Sequence, residues 1–226
     1  MKQKTAQKIL NQTKQTYEQI AEQFSNTRKY AGKEFNLFKQ YIKDNITIID
    51  IGCGNGRVAK FLQENCKKKY NYIGIDNATN FIKIAKQLNP NNKFKEGDFF
   101  NIPTKNNSVD LLLYIRSFHH IPNKNLRIQA LQEAKRVLKK EKIIFITVWN
   151  LWQKKYIKNI IKAIIKSILT LGKYKYNDLE IKWGKNHTRY YHAFTTKEIK
   201  KLLKQSNFKI ISIKKEKDII ITAKND

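Results

Sequence analysis

An open, mostly parallel α/β sheet with helices on both faces is predicted by three features of this 226-residue chain. Strand-like apolar runs alternate with amphipathic helical runs between residues 46 and 149, which is the pattern of a parallel sheet. The first strand empties into a glycine loop, Asp50-Ile51-Gly52-Cys53-Gly54-Asn55-Gly56. The last two strands are too close in sequence for a crossover helix. They pair as a hairpin and set one strand antiparallel to the rest.

The elements follow in order. Over residues 4–24, Ile9, Leu10, Tyr17, Ile20, Ala21 and Phe24 recur at helical spacing. A polar stretch, Ser25 to Arg28, separates this helix from a second over 33–42. The period then changes. Residues 46–51 are β-branched and nearly all apolar, as a strand buried on both faces requires. Helices over 57–63, 78–88 and 123–138 alternate with strands over 70–75, 93–95, 109–115 and 143–149. A helix over 195–203 and strands over 208–213 and 218–223 bring the sheet to seven strands. The expected organisation is a helical N-terminal segment (1–45), a ligand-binding core (46–150), a basic insertion or cap (151–194) and a closing helix with two strands (195–226).

Hydrophobic residues, at 41%, supply a real core, which excludes a disordered or fibrous chain. No segment resembles a membrane span, and the basic N-terminus is not followed by the apolar run of a signal peptide. A cytoplasmic protein is expected. Neither Cys53 nor Cys66 has metal-ligand spacing, so no metal site is expected. The formal charge is +28, but only six of the 46 basic residues are Arg. That charge has two readings, a polyanion partner or a coding bias toward Lys, Asn and Ile. Residues 151–186 are locally the most one-sided, with nine Lys against Asp178 and Glu180.

Glycines at 52, 54 and 56 allow a tight turn and close approach of backbone to ligand. Arg57 stands where the dinucleotide fingerprint has its third glycine. An acid before the turn suits S-adenosylmethionine (SAM), whose aminoacyl part carries an ammonium that Asp50 can pair with, directly or through water. Asp76 ends the next strand, where a carboxylate accepts from ribose hydroxyls. Asp98, after Gly97, is placed to accept from the adenine amino group. Asn77 and Phe99 follow these two acids and are assigned to the same SAM site, with Gly52, Cys53, Gly54 and Gly56.

These residues, with Ser108 to Pro122, resemble the type 11 SAM-dependent methyltransferases over about residues 46–150. The resemblance implies the Rossmann-like fold of class I methyltransferases. Residues 17–28, Tyr-Glu-Gln-Ile-Ala-Glu-Gln-Phe-Ser-Asn-Thr-Arg, look like the N-terminus of the tRNA wobble-uridine carboxymethyl methyltransferases. Arg189-Tyr190-Tyr191-His192-Ala193-Phe194 is similar to a segment near that family's C-terminus, and His119-His120 fits it too. What the resemblance implies is methylation of a carboxymethyl group on a tRNA wobble uridine, with tRNA as partner and, as for eukaryotic relatives, a possible small zinc-binding activator. Arg116 departs from the family, which usually has a small residue there, and residues 151–186 match none of its segments.

A carboxylate nucleophile, with a pKa near ~4, is already ionised at neutral pH and needs orientation more than a base. Arg28 and Arg189 are the candidate carboxylate holders, because the guanidinium fork binds two oxygens at once. His119 and His120 either contact the acceptor, shape its pocket or cap structure. Tyr191 is a candidate for lining the pocket or stacking on a base, and one of Tyr190 and Tyr191, not both, is expected to be buried. In 151–186 the apolar stripe Ile157, Ile160, Ile161, Ile164, Ile165, Ile168, Leu169 alternates with Lys, as in a helix docked on the domain, tracking phosphates or lying on a membrane. Two competing functions stand beside the tRNA reading: a small-molecule methyltransferase acting on a quinone or phenol, and a non-catalytic RNA-binding subunit.

Overall fold

The computed structural model describes residues 1–28 and 30–226. Helices α1 (Gln3–Thr27) and α2 (Phe35–Lys39) precede the sheet. The core then runs β1 (Ile46–Ile51), α3 (Arg57–Asn65), β2 (Tyr70–Asp76), α4 (Thr79–Leu88), β3 (Lys93–Glu96), β4 (Val109–Ile115), α5 (Lys124–Val137) and β5 (Leu138–Trp149). Helix α6 (Ile157–Leu169) and a hairpin of β6 (Asp178–Trp183) and β7 (His187–His192) follow, then α7 (Thr196–Gln205), β8 (Phe208–Lys215) and β9 (Asp218–Asn225).

The seven strands lie in the order β3-β2-β1-β4-β5-β9-β8, with β9 antiparallel to both neighbours and the other pairings parallel. Side chains alternate across the sheet. Ile49, Ile51, Leu112, Tyr114, Ile144 and Ile146 pack with Leu131 of α5 and Leu202 of α7, whereas Ile48, Leu111, Leu113 and Phe145 pack with Phe38, Phe61, Leu62 and Ile82. Two buried faces explain why these strands read as unbroken apolar runs. From β1 the chain winds outward to β3, then crosses back to β4 on the other side. Strand order therefore reverses between β1 and β4, and the crevice at their C-terminal ends is where such sheets bind ligands.

Three local expectations change. The polar stretch at Ser25 does not end α1. Its hydroxyl donates to Ala21 O and that of Thr27 to Phe24 O, so both are satisfied within the helix. The second helix contracts to Phe35–Lys39. The hairpin β6–β7 is a separate two-stranded sheet that was not expected, although Asp-Leu-Glu-Ile-Lys-Trp alternates polar and apolar residues as a half-buried strand does. Glutamate 18 fixes α1 on the core: its carboxylate accepts from the amides of Thr79 and Asn80 at the start of α4. Among the described residues no helix is long and apolar enough to cross a membrane.

Candidate active site

A cavity of about 260 Å³ opens at the reversal point, walled by the loops after β1, β2, β3 and β4, by Trp149 at the end of β5, and by α1 and β7. Its floor is the glycine loop. The amides of Gly52 and Cys53 both donate to Ile75 O, at 2.7 and 3.0 Å, folding the loop back over β2. Glycine is obligatory at 52, where φ is +76° and a Cβ would stand 2.4 Å from that of Ser117. Ser117 is held there by donating to Ile51 O at 2.7 Å. At Gly54, by contrast, a Cβ would meet nothing within 4 Å, so that backbone faces open space.

Asp76 organises this floor. One carboxylate oxygen accepts from Gly54 N–H and the other from Ala78 N–H, both at 2.9 Å. Burial raises its pKa to about 6, against the pull of those amides. Asp98 uses one oxygen on the amides of Phe100 and Asn101, leaving the other to the cavity that Asn77, Gly97, Asp98 and Phe99 line. The direct role expected of Asp50 needs correction. Asp50 is 1% exposed and sits behind the cavity wall, where one oxygen accepts from Tyr72 OH at 3.0 Å and the other has no partner. Burial lifts its pKa to about 7, against the Tyr72 hydrogen bond. Gly56 is also off the cavity. It starts α3 at φ +80°, where a Cβ would press on Asn89 and Phe94.

The opposite wall joins parts of the chain far apart in sequence. Arg28, Arg57, Arg116 and Arg189, four of the six arginines, line the cavity. The other two are paired, Arg127 with Glu198 and Arg136 with Glu133. Arg116, at the unusual φ of +54°, is also bound, to Asp218 at 2.7 Å and Glu34 at 3.0 Å. Arg189 is different. It is 3% exposed and, among the described residues, makes no salt bridge, and its Nε has no partner. Its guanidinium lies 4.7 Å from the Trp183 ring and 5.3 Å from that of Tyr191, with Tyr17 and Trp149 at 6.0 and 5.8 Å. Arg28 rests on Phe24 and Trp183, at 5.6 Å from each ring. Its carbonyl accepts from Asn55 of the glycine loop, so Arg28 stands on the cofactor side of the cavity.

Both histidines are buried and neutral, and burial pushes their pKa values down, that of His120 to about 3. His120 uses both ring nitrogens: Nδ1 donates to Tyr190 O at 2.7 Å, and Nε2 accepts from Tyr17 OH at 2.9 Å. Nδ1 of His119 accepts from Trp149 N–H at 3.2 Å, which leaves the ring proton on Nε2, and the ring lines the cavity. Tyr190 and Tyr191 are both buried, against the expectation of one. Successive strand residues point to opposite faces. Tyr191 lines the cavity, stacked on Trp149 at 4.8 Å and 10°, whereas Tyr190 donates to Asp178 and Pro122 O on the far side. There Asp178, His192, Glu198 and Arg127 form a buried chain of polar contacts. Burial raises the Asp178 carboxyl, but His192 and Tyr190 outweigh it and hold it low.

Tyr17, Trp149 and Trp183 were not anticipated as site residues. Trp149 could have been, since it ends a strand at the ligand side of the sheet. Trp183 needed the hairpin, whose signal was the alternation of Leu179, Ile181 and Trp183 with polar residues.

A glycine loop over an acid-lined floor, at the reversal point of this seven-stranded sheet, defines a class I SAM-dependent methyltransferase, and the chain belongs to that family. A methyltransferase-domain family model matches residues 49–146. The chain is 29% identical to the tRNA (carboxymethyluridine(34)-5-O)-methyltransferase of Schizosaccharomyces pombe, over 87% of this chain and 88% of that protein. It is 32% identical to an uncharacterized protein of Methanocaldococcus jannaschii, over 88% and 76% of the respective lengths. A shorter match, at 30% identity over 55% of this chain and 57% of the other, is to a ubiquinone/menaquinone biosynthesis C-methyltransferase of Campylobacter jejuni. Among solved structures, a SAM-dependent methyltransferase of Methanosarcina mazei superposes with a TM-score of 0.70 at 21% identity, covering 83% of this chain and 96% of that one. A chain from the complex of a methyltransferase with the Haloferax volcanii Trm112 methyltransferase activator gives 0.63 at 12%, covering 92% and 97%. SAM is the cofactor, and the residues present fit it: open backbone at Gly54, an oxygen of Asp98 left to the cavity, and buried carboxyls at Asp50 and Asp76 that a cofactor ammonium would ionise.

Proposed function

We propose that the protein methylates the carboxylate of a carboxymethyl group on the wobble uridine of tRNA. The observation that carries this reading is Arg189, a buried guanidinium with no acid to neutralise it. An uncompensated buried charge is costly, on the order of several kcal/mol after relaxation, and an acceptor carboxylate would remove that cost as it docked. Bound SAM supplies an electrophilic sulfonium methyl. The acceptor carboxylate is already ionised at neutral pH, so the residues of this chain would have to orient it and would move no proton. Arg189 holds the acceptor carboxylate, Nε2–H of neutral His119 donates to it, and Trp149 and Tyr191 give a flat wall for the base. Arg28 closes the cofactor side.

Two observations speak against a phenol-methylating enzyme. Both ring nitrogens of His120 are already occupied, and burial keeps His119 from taking up a proton. The intact floor argues against a silent RNA-binding subunit. The basic insertion 151–186 would meet RNA phosphates, most directly at Lys182 and Lys185. Both are exposed and flank Trp183, on which Arg28 and Arg189 rest. A cytoplasmic setting goes with this substrate, and a small zinc-binding activator is a further proposed partner. The test is methylation of purified tRNA carrying carboxymethyluridine, read by nucleoside mass spectrometry with and without activator. A methyl ester at that nucleoside is the expected product, and methylation elsewhere would overturn the reading.

A further inference from the structure

Of the readings open for helix α6, docking on the domain holds only in part: Ile160 and Ala163 pack on the core, and most of the apolar stripe stays uncovered. Ala163 is its one buried residue. Ile157, Ile161, Ile164, Ile165 and Ile168 are 41–68% exposed, Leu169 is 78% exposed, and Leu171 just beyond the helix is 97% exposed. At about 100° per residue the helical ones share one arc, with Lys158 and Lys162 together along one of its edges. The helix is nonetheless firmly seated. Asn159 donates to Glu180 O at 2.7 Å, and Lys166 pairs with the Glu180 carboxylate at 2.6 Å while resting 4.0 Å over the Tyr174 ring. From Ile157 to Asn177 the chain has five Lys and no acid.

We propose that this face binds the surface of an anionic lipid bilayer. Four possible occupants can be weighed on chemistry. RNA gains nothing from covering branched aliphatic side chains. A second copy packed face to face would oppose the Lys158 and Lys162 borders of two chains, each of formal charge +28. A protein interface concentrates aromatic and Arg anchors and is depleted in Lys, whereas α6 holds only aliphatics, Lys, Asn and Ser. A bilayer boundary suits what is present. An aliphatic face sinks about 5–10 Å, and Lys lies at the phosphate level. A 13-residue helix is long enough to lie flat over about 20 Å of that boundary. Lys182 and Lys185 stay free for RNA.

The test is co-sedimentation of the full chain with vesicles of phosphatidylcholine, alone or mixed with phosphatidylglycerol. Binding to the mixed vesicles should be at least about tenfold tighter. The Ile161→Ser/Ile165→Ser/Ile168→Ser variant should lose about tenfold or more of it, with SAM affinity unchanged as the check on folding. Lys158→Gln/Lys162→Gln should erase the preference for the anionic lipid. Equal binding by the triple serine variant would assign the effect to general charge and overturn the proposal. So would loss of tRNA affinity in that variant, a wild-type dimer that the variant disrupts, or no vesicle binding at all.

Discussion

The hydroxyl of Tyr17 lies 2.9 Å from Nε2 of His120 and 3.5 Å from Nη1 of Arg189. This contact ties α1 to the acceptor wall across 103 residues of sequence. Because the far nitrogen of His120 donates to Tyr190 O, the ring accepts from Tyr17, whose lone pairs then face Arg189. Tyr17→Phe should therefore lower turnover about tenfold by releasing Arg189, while SAM affinity stays the same. Calorimetry beside single-turnover kinetics checks both halves.

Asp76→Ala should weaken SAM binding about tenfold or more, since charge-assisted hydrogen bonds to ribose contribute about 1.5–3 kcal/mol each. The glycine loop would also lose the carboxylate that holds Gly54 N–H. The variant should still unfold cooperatively, because Gly52 and Cys53 keep their bonds to Ile75 O. Unchanged affinity by calorimetry would remove Asp76 from the cofactor site.

Acid groups in the floor make cofactor binding pH-dependent. Asp50 and Asp76 are raised from 3.8 to about 7 and about 6. Between those limits the folded unliganded protein holds protons that the unfolded chain has lost, so its stability falls as pH rises from about 4 to about 7. A cofactor ammonium favours the ionised carboxylates. SAM affinity should then rise over that same range, with proton release visible by calorimetry in buffers of different ionisation enthalpy. Asp50→Asn should flatten most of the rise; an unaltered slope would show that Asp50 does not feel the ligand.

Much of this arrangement was legible before the fold was known. The β-branched run before Asp50 pointed to a doubly buried strand, which β1 is, and the three glycines after it, with Asp50, to a close-approach loop. Asp76 and Asp98 followed from the same logic at the next strand ends. Helical period identified the buried face of α1 but not what it meets, so Tyr17 and Glu18 were missed. For α6 the period marked an apolar side correctly and said nothing of whether the domain would cover it. Trp183 needed β6, whose polar/apolar alternation is the period of a half-buried strand and was passed over beside the stronger helical stripe of α6.

Replacing Lys182 and Lys185 by Gln should weaken tRNA binding and reduce its salt dependence by roughly 0.7–0.9 for each phosphate no longer neutralised. SAM affinity should not change, since neither residue lines the cavity. An identical salt slope would move the RNA path off the β6–β7 hairpin.

The arginines separate carboxylate chemistry from phenol chemistry. Arg189 and Arg28 both lie over the Trp183 ring, at 4.7 and 5.6 Å from its centre. Arg189→Lys keeps the charge but loses the two parallel donors, so the acceptor oxygen would leave the sulfur–methyl axis. A misplacement of about 1 Å costs on the order of a hundredfold in rate. Arg28→Lys should also lower turnover, while the bond from Asn55 to the main-chain carbonyl of residue 28, which the substitution keeps, leaves the glycine loop and SAM affinity unchanged. Replacing His119 or His120 by Asn should lower the rate without adding or removing a pH limb above about pH 6, because both rings are neutral throughout that range. A phenol-methylating enzyme would behave in the opposite way, tolerating Lys at both positions and losing its basic limb with a histidine. The measurement is single-turnover methylation of tRNA across pH, with a phenolic acceptor in parallel. Full tRNA activity in Arg189→Lys, or a limb that vanishes with His119, would overturn the carboxylate assignment and leave the SAM site intact.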